Sequence, residues 1–150
     1  MDTGTERCYN HISQRLAGIE SRLRLYDSRR PEMIWMKYFV TEHERKESGS
    51  TCYYEFHKGD WDENTMDFWR EDSISLHDDV MYESGFDSLI MDHVPEYAPF
   101  GTTRISAASW AKIVQAARRT GGEIAELVLE ADAWALGVFE EHEVFTILGL

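Results

Sequence analysis

The stretch 100-FGTTRISAASWAKIVQAARRTGG-122 decides the architecture, because its apolar period changes partway along. Residues 100–105 read as a short strand. From Ser106 the spacing becomes helical: Trp110, Ile113, Val114 and Ala117 fall on one face. Ser106 stands where an N-cap belongs, its hydroxyl placed to accept an amide of the first turn. Gly121-Gly122 stops the helix. A second helical face follows in Ile124, Leu127, Val128, Ala131, Trp134 and Val138. The run 144-VFTILGL-150 then returns to a strand with little polarity on either face. A strand this apolar must be covered, inside a sheet or at a subunit contact.

Working upstream, 51-TCYYEFH-57 alternates, with Cys52, Tyr54 and Phe56 on one side and Tyr53, Glu55 and His57 on the other. Residues 73–77, SISLH, alternate too, with Ile74 and Leu76 inward. The run 33-MIWMKYFVT-41 is apolar at nearly every position, which predicts a strand covered on both faces, central in its sheet and paired in a hairpin with 51–57. Between those two strands EHERKESGS reads as a polar turn. Residues 78–93, interrupted by Gly85, fit a broken helix or a short strand. Cys8, Ile12, Leu16, Ile19 and Leu23 predict an N-terminal amphipathic helix over 7–24. The whole is one α+β domain, 1–150: a mainly antiparallel sheet of about five strands carrying an N-terminal helix and two C-terminal helices.

With 13% aromatic residues among 43% hydrophobic ones, the chain has the apolar content of a folded domain. Its net charge is −13, and the excess is local. Residues 32–100 hold 17 acids against five bases, whereas residues 1–31 are slightly basic. Such a charge disfavours nucleic acid and anionic lipid and favours basic proteins or cations. No apolar run approaches the roughly 20 residues that span a bilayer. MDTGTERCYN has no apolar core, so no signal peptide is expected. Cys8 and Cys52 fit no zinc or redox spacing and read as free buried thiols in a cytoplasmic protein.

The chemistry concentrates in 60-DWDENTMDFWRE-71 and the residues after it. Asp60, Asp62, Asn64 and Glu71 occupy positions one, three, five and twelve of a calcium loop. Position six, where that loop needs glycine, is Thr65, and the flanks read as strands rather than helices. A solvated loop over packed aromatics is one alternative and a protein-recognition surface is another. The recognition surface would consist of Asp60, Trp61, Asp62, Glu63, Asp67, Trp69, Glu71, Asp72, Asp78 and Asp79. Acids of one sign speed encounter with a basic partner, and tryptophan is a frequent energetic anchor.

Catalytic patterns are weak. There is no nucleophile elbow, phosphate-cradling glycine loop or H-E-x-x-H helix. His57 and His77, on neighbouring strands beside carboxylates, are the pair an acid–base enzyme would use; exposed strand histidines are the plainer reading. No catalytic residue, metal or cofactor is assigned.

The profile resembles the immunity proteins of bacterial polymorphic and contact-dependent toxin systems. It does so in length, acidity, α+β layout and lack of a catalytic signature, and in the helix–helix–strand finish of 100-FGTTRISAASWAKIVQAA-117 and 144-VFTILGL-150. That resemblance implies a cytoplasmic, non-catalytic protein that occludes a basic cognate toxin domain, such as a nuclease. A non-catalytic adaptor or regulatory domain, dimeric through the C-terminal strand, is the alternative. A small His/carboxylate enzyme ranks third.

Overall fold

A computed structural model describes residues 36–149. The predicted helix over 7–24, Cys8 and the first part of the 33–41 run lie outside the described residues. The described chain is α+β, with five strands in one sheet and five helices. The strands are β1 (Phe39–Thr41), β2 (Tyr53–Lys58), β3 (Ile74–His77), β4 (Thr102–Ser106) and β5 (Val144–Leu148). The helices are α1 (Glu42–Ser48), α2 (Asp78–Glu83), α3 (Phe86–His93), α4 (Ala107–Thr120) and α5 (Gly122–Glu141). The sheet runs β1-β3-β2-β5-β4 and every pair is antiparallel. No helix among the described residues is long and apolar enough to cross a membrane.

The opening stretch folds as its pattern predicts. Ser106 caps α4, its Oγ accepting from Ser109 N at 3.2 Å. Trp110, Ile113 and Ala117 are buried, with Val114 packed at their edge. On α5 the buried residues include Leu127, Val128, Ala131 and Val138. The apolar strand β5 is covered inside the sheet, between β2 and β4, so it is not a free edge for a subunit contact.

Three expectations change and one open choice is decided. First, β1 is an edge strand of three residues, and β3 separates it from β2, so the predicted hairpin is absent. The apolar run is buried as expected, with Met36, Tyr38, Phe39 and Val40 all in the interior. Where the run enters β1, the Glu130 carboxylate on α5 accepts the amides of Lys37, Tyr38 and Phe39, each at 2.8 Å. Second, EHERKES is the helix α1. Thr41 and Glu44 form a reciprocal capping box, and Gly49 closes the helix. Of the two readings left open for residues 78–93, the broken helix is the one found: two helices, α2 and α3, parted at Gly85, whose φ of 82° suits a residue without a Cβ. The third change is that Cys52 is disulfide-bonded rather than a free thiol, and its partner lies outside the described residues.

One face of the sheet packs on the helices through a connected set of rings. Phe145 on β5 stacks on Phe56 at 5.7 Å and meets Trp110 at 5.3 Å and Trp134 at 5.4 Å. Trp110 Nε1 donates to Asp132 on α5 at 2.8 Å, which satisfies the indole while its body stays apolar. The opposite face carries Tyr53, Glu55, His57, Ser75 and His77, all buried.

Candidate acidic loop site

The acidic stretch is the long connection between β2 and β3, residues 59–73. It leaves the sheet at Gly59, where φ is 76° and an added Cβ would sit 2.7 Å from His142 Nδ1. Thr146 Oγ1 donates to Gly59 O at 2.8 Å, fixing that exit. Asp60 then pairs with Arg104 on β4 at 2.6 Å, with both side chains well exposed. Asp62 turns the chain by local bonds: its Oδ1 accepts Asn64 N at 2.9 Å and its carbonyl accepts Thr65 N at 3.1 Å. Two non-glycine residues, Met66 (φ 51°) and Trp69 (φ 59°), adopt left-handed backbone. Such residues cost of order 1–3 kcal/mol each and persist only where the surroundings hold them.

At Trp69 the surroundings do so, chiefly through Glu55. This β2 residue is 1% exposed, and its carboxylate collects three donors from the loop. Trp69 N donates at 2.6 Å, Arg70 N at 3.0 Å and Ser73 Oγ at 2.6 Å. Further ties come from the aromatic side chains. Trp134 Nε1 on α5 donates to Asp72 O at 3.0 Å. Trp61 Nε1 donates to Asp67 O at 3.0 Å, and its ring lies 4.9 Å from Phe68. The Arg45 guanidinium sits 4.0 Å over the Trp69 ring and is itself held by Glu42 at 2.7 Å.

The result is a fixed knuckle with a mixed surface. Met66 is 61% exposed and Phe68 43%, among the exposed acids Asp62, Glu63, Asp67, Glu71 and Asp72. Arg70 lies between Asp67 (2.8 Å) and Asp72 (3.4 Å), and the Asp67 hydrogen bond leads the effects that raise its pKa. Trp61 and Trp69 are half-buried and brace the loop from within. Between Phe68–Trp69 and the sheet lies a hollow of about 500 Å³, bordered by Tyr53, Glu55, Leu148 and Gly149.

Eight of the ten residues singled out from sequence therefore share this loop: Asp60, Trp61, Asp62, Glu63, Asp67, Trp69, Glu71 and Asp72. Asp78 and Asp79 do not. They begin α2 at the far end of β3, Asp78 lying five residues beyond Ser73, or about 17 Å along an extended strand. The carboxylates of the supposed calcium loop also do not converge. Asp60 is engaged by Arg104 and Asp62 by its own turn.

Among the described residues one group has metal-ligand types in mutual reach: His77, Asp78 and Asp79. His77 Nδ1 lies 3.1 Å from Asp78 Oδ1, yet the same nitrogen accepts Asp79 N at 3.1 Å as the cap of α2. Its lone pair is thus used by the backbone. Burial, followed by the charge of Glu83, raises the Asp79 pKa.

His57 and His77 are buried, 4% and 0% exposed, and are not the exposed strand histidines expected. They stand toward opposite ends of β2 and β3: His77 pairs with Tyr53, whereas His57 pairs with Thr146 on β5. The residue that sequence reasoning missed is Glu55. Its signal was present, since an acid inside the otherwise apolar YYEF run must find donors if the strand is covered on that side. Compared with family models, curated proteins and solved structures, the chain matches none.

Proposed function

We propose that the protein is a non-catalytic binding protein of the toxin-immunity type, which uses the loop 60–72 to cover a basic partner domain. The observation that carries this reading is the anchoring of the loop. A solvated connection has no need of a buried carboxylate, two indole hydrogen bonds and two left-handed residues to hold Met66 and Phe68 outward among acids. Preorganisation of this kind lowers the ordering cost of binding. The acids around it steer a basic domain at rates that reach about 10⁸–10⁹ M⁻¹s⁻¹ at low salt, falling as salt rises. Occlusion follows from geometry and charge: the knuckle enters the partner's anion-binding groove and neutralises the cations there. Asp78 and Asp79 contribute only long-range field in this arrangement. Nucleic acid and membranes are not partners on this reading.

The proposed site of action is the cytoplasm, with one condition set by Cys52. A reducing cytosol would open its disulfide, so the reduced protein must also bind.

The test is capture of a basic protein from source-cell lysate at low salt, followed by association kinetics with the purified partner. Glu63→Gln, Asp67→Asn and Glu71→Gln in one variant should slow association at least tenfold and flatten its salt dependence, with dissociation changed less. Equal rates for variant and wild type would sink the reading.

A further inference from the structure

We propose that the hollow beneath Phe68 and Trp69 receives one arginine side chain of the basic partner, an inference that rests on the reading of the loop as a partner-binding face. Its lining is largely apolar, with Tyr53, Phe68, Trp69 and Leu148 beside Thr51, Cys52 and Gly149, and the acidic residue Glu55 is part of it. The donors to Glu55 are two backbone amides and one hydroxyl, all neutral. Among the described residues no Lys, Arg or His forms an ion pair with it. A carboxylate has about four acceptor positions, and three are filled. A buried negative charge with neutral partners keeps a strong field in its low-dielectric surroundings. A cationic occupant of the adjoining hollow complements that charge.

The walls select the kind of cation. A guanidinium is flat, weakly hydrated and stacks on aromatic faces, whereas an ammonium is a compact, strongly hydrated point charge. The Trp69 ring already carries one guanidinium, that of Arg45, at 4.0 Å. The mouth is preformed, because Phe68 is held against Trp61 and the chain beside it is pinned to Glu55. Glu63, Asp67 and Glu71 are exposed on the same loop and concentrate cations there.

The experiment titrates the full chain with the blocked peptide acetyl-Lys-Gly-Arg-Gly-Lys-amide, and with its citrulline and all-lysine counterparts, at 150 mM salt. Backbone and indole NMR shifts are the readout. The arginine peptide should move the resonances of Tyr53, Trp69 and Leu148 and bind about fivefold or more tighter than either counterpart. Glu55→Gln should abolish the preference for arginine. Because that change loosens the loop, Phe68→Ala is the second variant; it leaves the Glu55 bonds in place and should weaken arginine binding about threefold or more. Equal affinity for the three peptides, or no effect of Phe68→Ala, overturns the receptor. A peptide that maps only to the acids and is lost in Glu63→Gln/Glu71→Gln also overturns it, yet leaves the loop standing as a basic-partner face. Arginine seated in the hollow, with the captured partner indifferent to the three acid substitutions, does the reverse: the receptor stands and the proposed function falls.

Discussion

Replacing Glu55 by glutamine tests whether one buried carboxylate holds the acidic loop. The change keeps size and one carbonyl oxygen but turns the other oxygen into an NH₂ group. In one orientation that NH₂ faces Trp69 N–H; in the other it faces Arg70 N–H, while Ser73 Oγ rotates to accept from it. Either way one backbone amide loses its acceptor. A hydrogen bond to a charged group contributes about 1.5–3 kcal/mol, and a stranded buried donor costs about 1–3 kcal/mol. The loop borders solvent, so the stranded amide partly recovers by turning to water, which places the net loss at roughly 2–4 kcal/mol. That is a large fraction of a typical stability of about 5–15 kcal/mol. Urea unfolding should show a lower midpoint at unchanged m, and hydrogen exchange should locate the damage. The amides of Trp69 and Arg70 should exchange more than tenfold faster, while those in the β2–β5 ladder keep their order of protection. Unchanged exchange at Trp69 and Arg70, with an unchanged midpoint, would refute the assignment of Glu55 as the anchor.

Other consequences are as direct. Phe145→Ala removes the ring shared by Phe56, Trp110 and Trp134 and should cost about 3–5 kcal/mol in chemical denaturation; a loss under 1 kcal/mol would contradict the packing. Gly59→Ala combines a left-handed backbone with contact at His142 Nδ1. It should lower the thermal midpoint, and adding His142→Ala should recover only part of the loss, because the backbone strain of about 1–3 kcal/mol remains. Burial, followed by the charges of Tyr82 and Asp87, pushes the Tyr97 hydroxyl up to about 12. Burial also raises Tyr54, which shares a 2.6 Å hydrogen bond with Tyr82. Raised folded-state values favour the neutral phenols. The Tyr97 contribution is complete below the unfolded value near 10 and is lost as pH rises through about 12. A spectrophotometric titration should show these phenols ionising after the rest; a single transition near 10 in the folded protein would be the contrary result.

The loop illustrates how far a linear reading reaches. Its composition and its acid spacing are visible in the string 60-DWDENTMDFWRE-71, and both raise the right question about it. The answer lies in partners far along the chain. Arg104 takes Asp60 from 44 residues away, Trp134 takes the Asp72 carbonyl from 62, and Glu55 reaches forward to Ser73. No local pattern encodes such contacts, so the separation of Asp78 and Asp79 was not legible, whereas Thr65 at position six and the strand-like flanks already spoke against a calcium loop. The capping of α1 by Thr41 and Glu44 was legible in principle, since the residues three apart form a capping box. The high polarity of EHERKES hid the helix.

By itself the sequence determined what short-range forces specify. Helical spacing and a serine cap located α4, the same spacing located α5, and strict alternation located β2 and β3, because the periods of helix and strand are properties of the local backbone. Strand order needed the tertiary structure. An apolar run signals burial on both faces, but a face is covered as well by the Glu130 carboxylate and neighbouring packing at an edge as by two flanking strands. Register and neighbour choice depend on which long-range contacts close together, and that depends on the whole core at once. The same holds for Glu55: its place on the strand followed from alternation, while its burial and its three donors followed only from the loop folding back over the sheet.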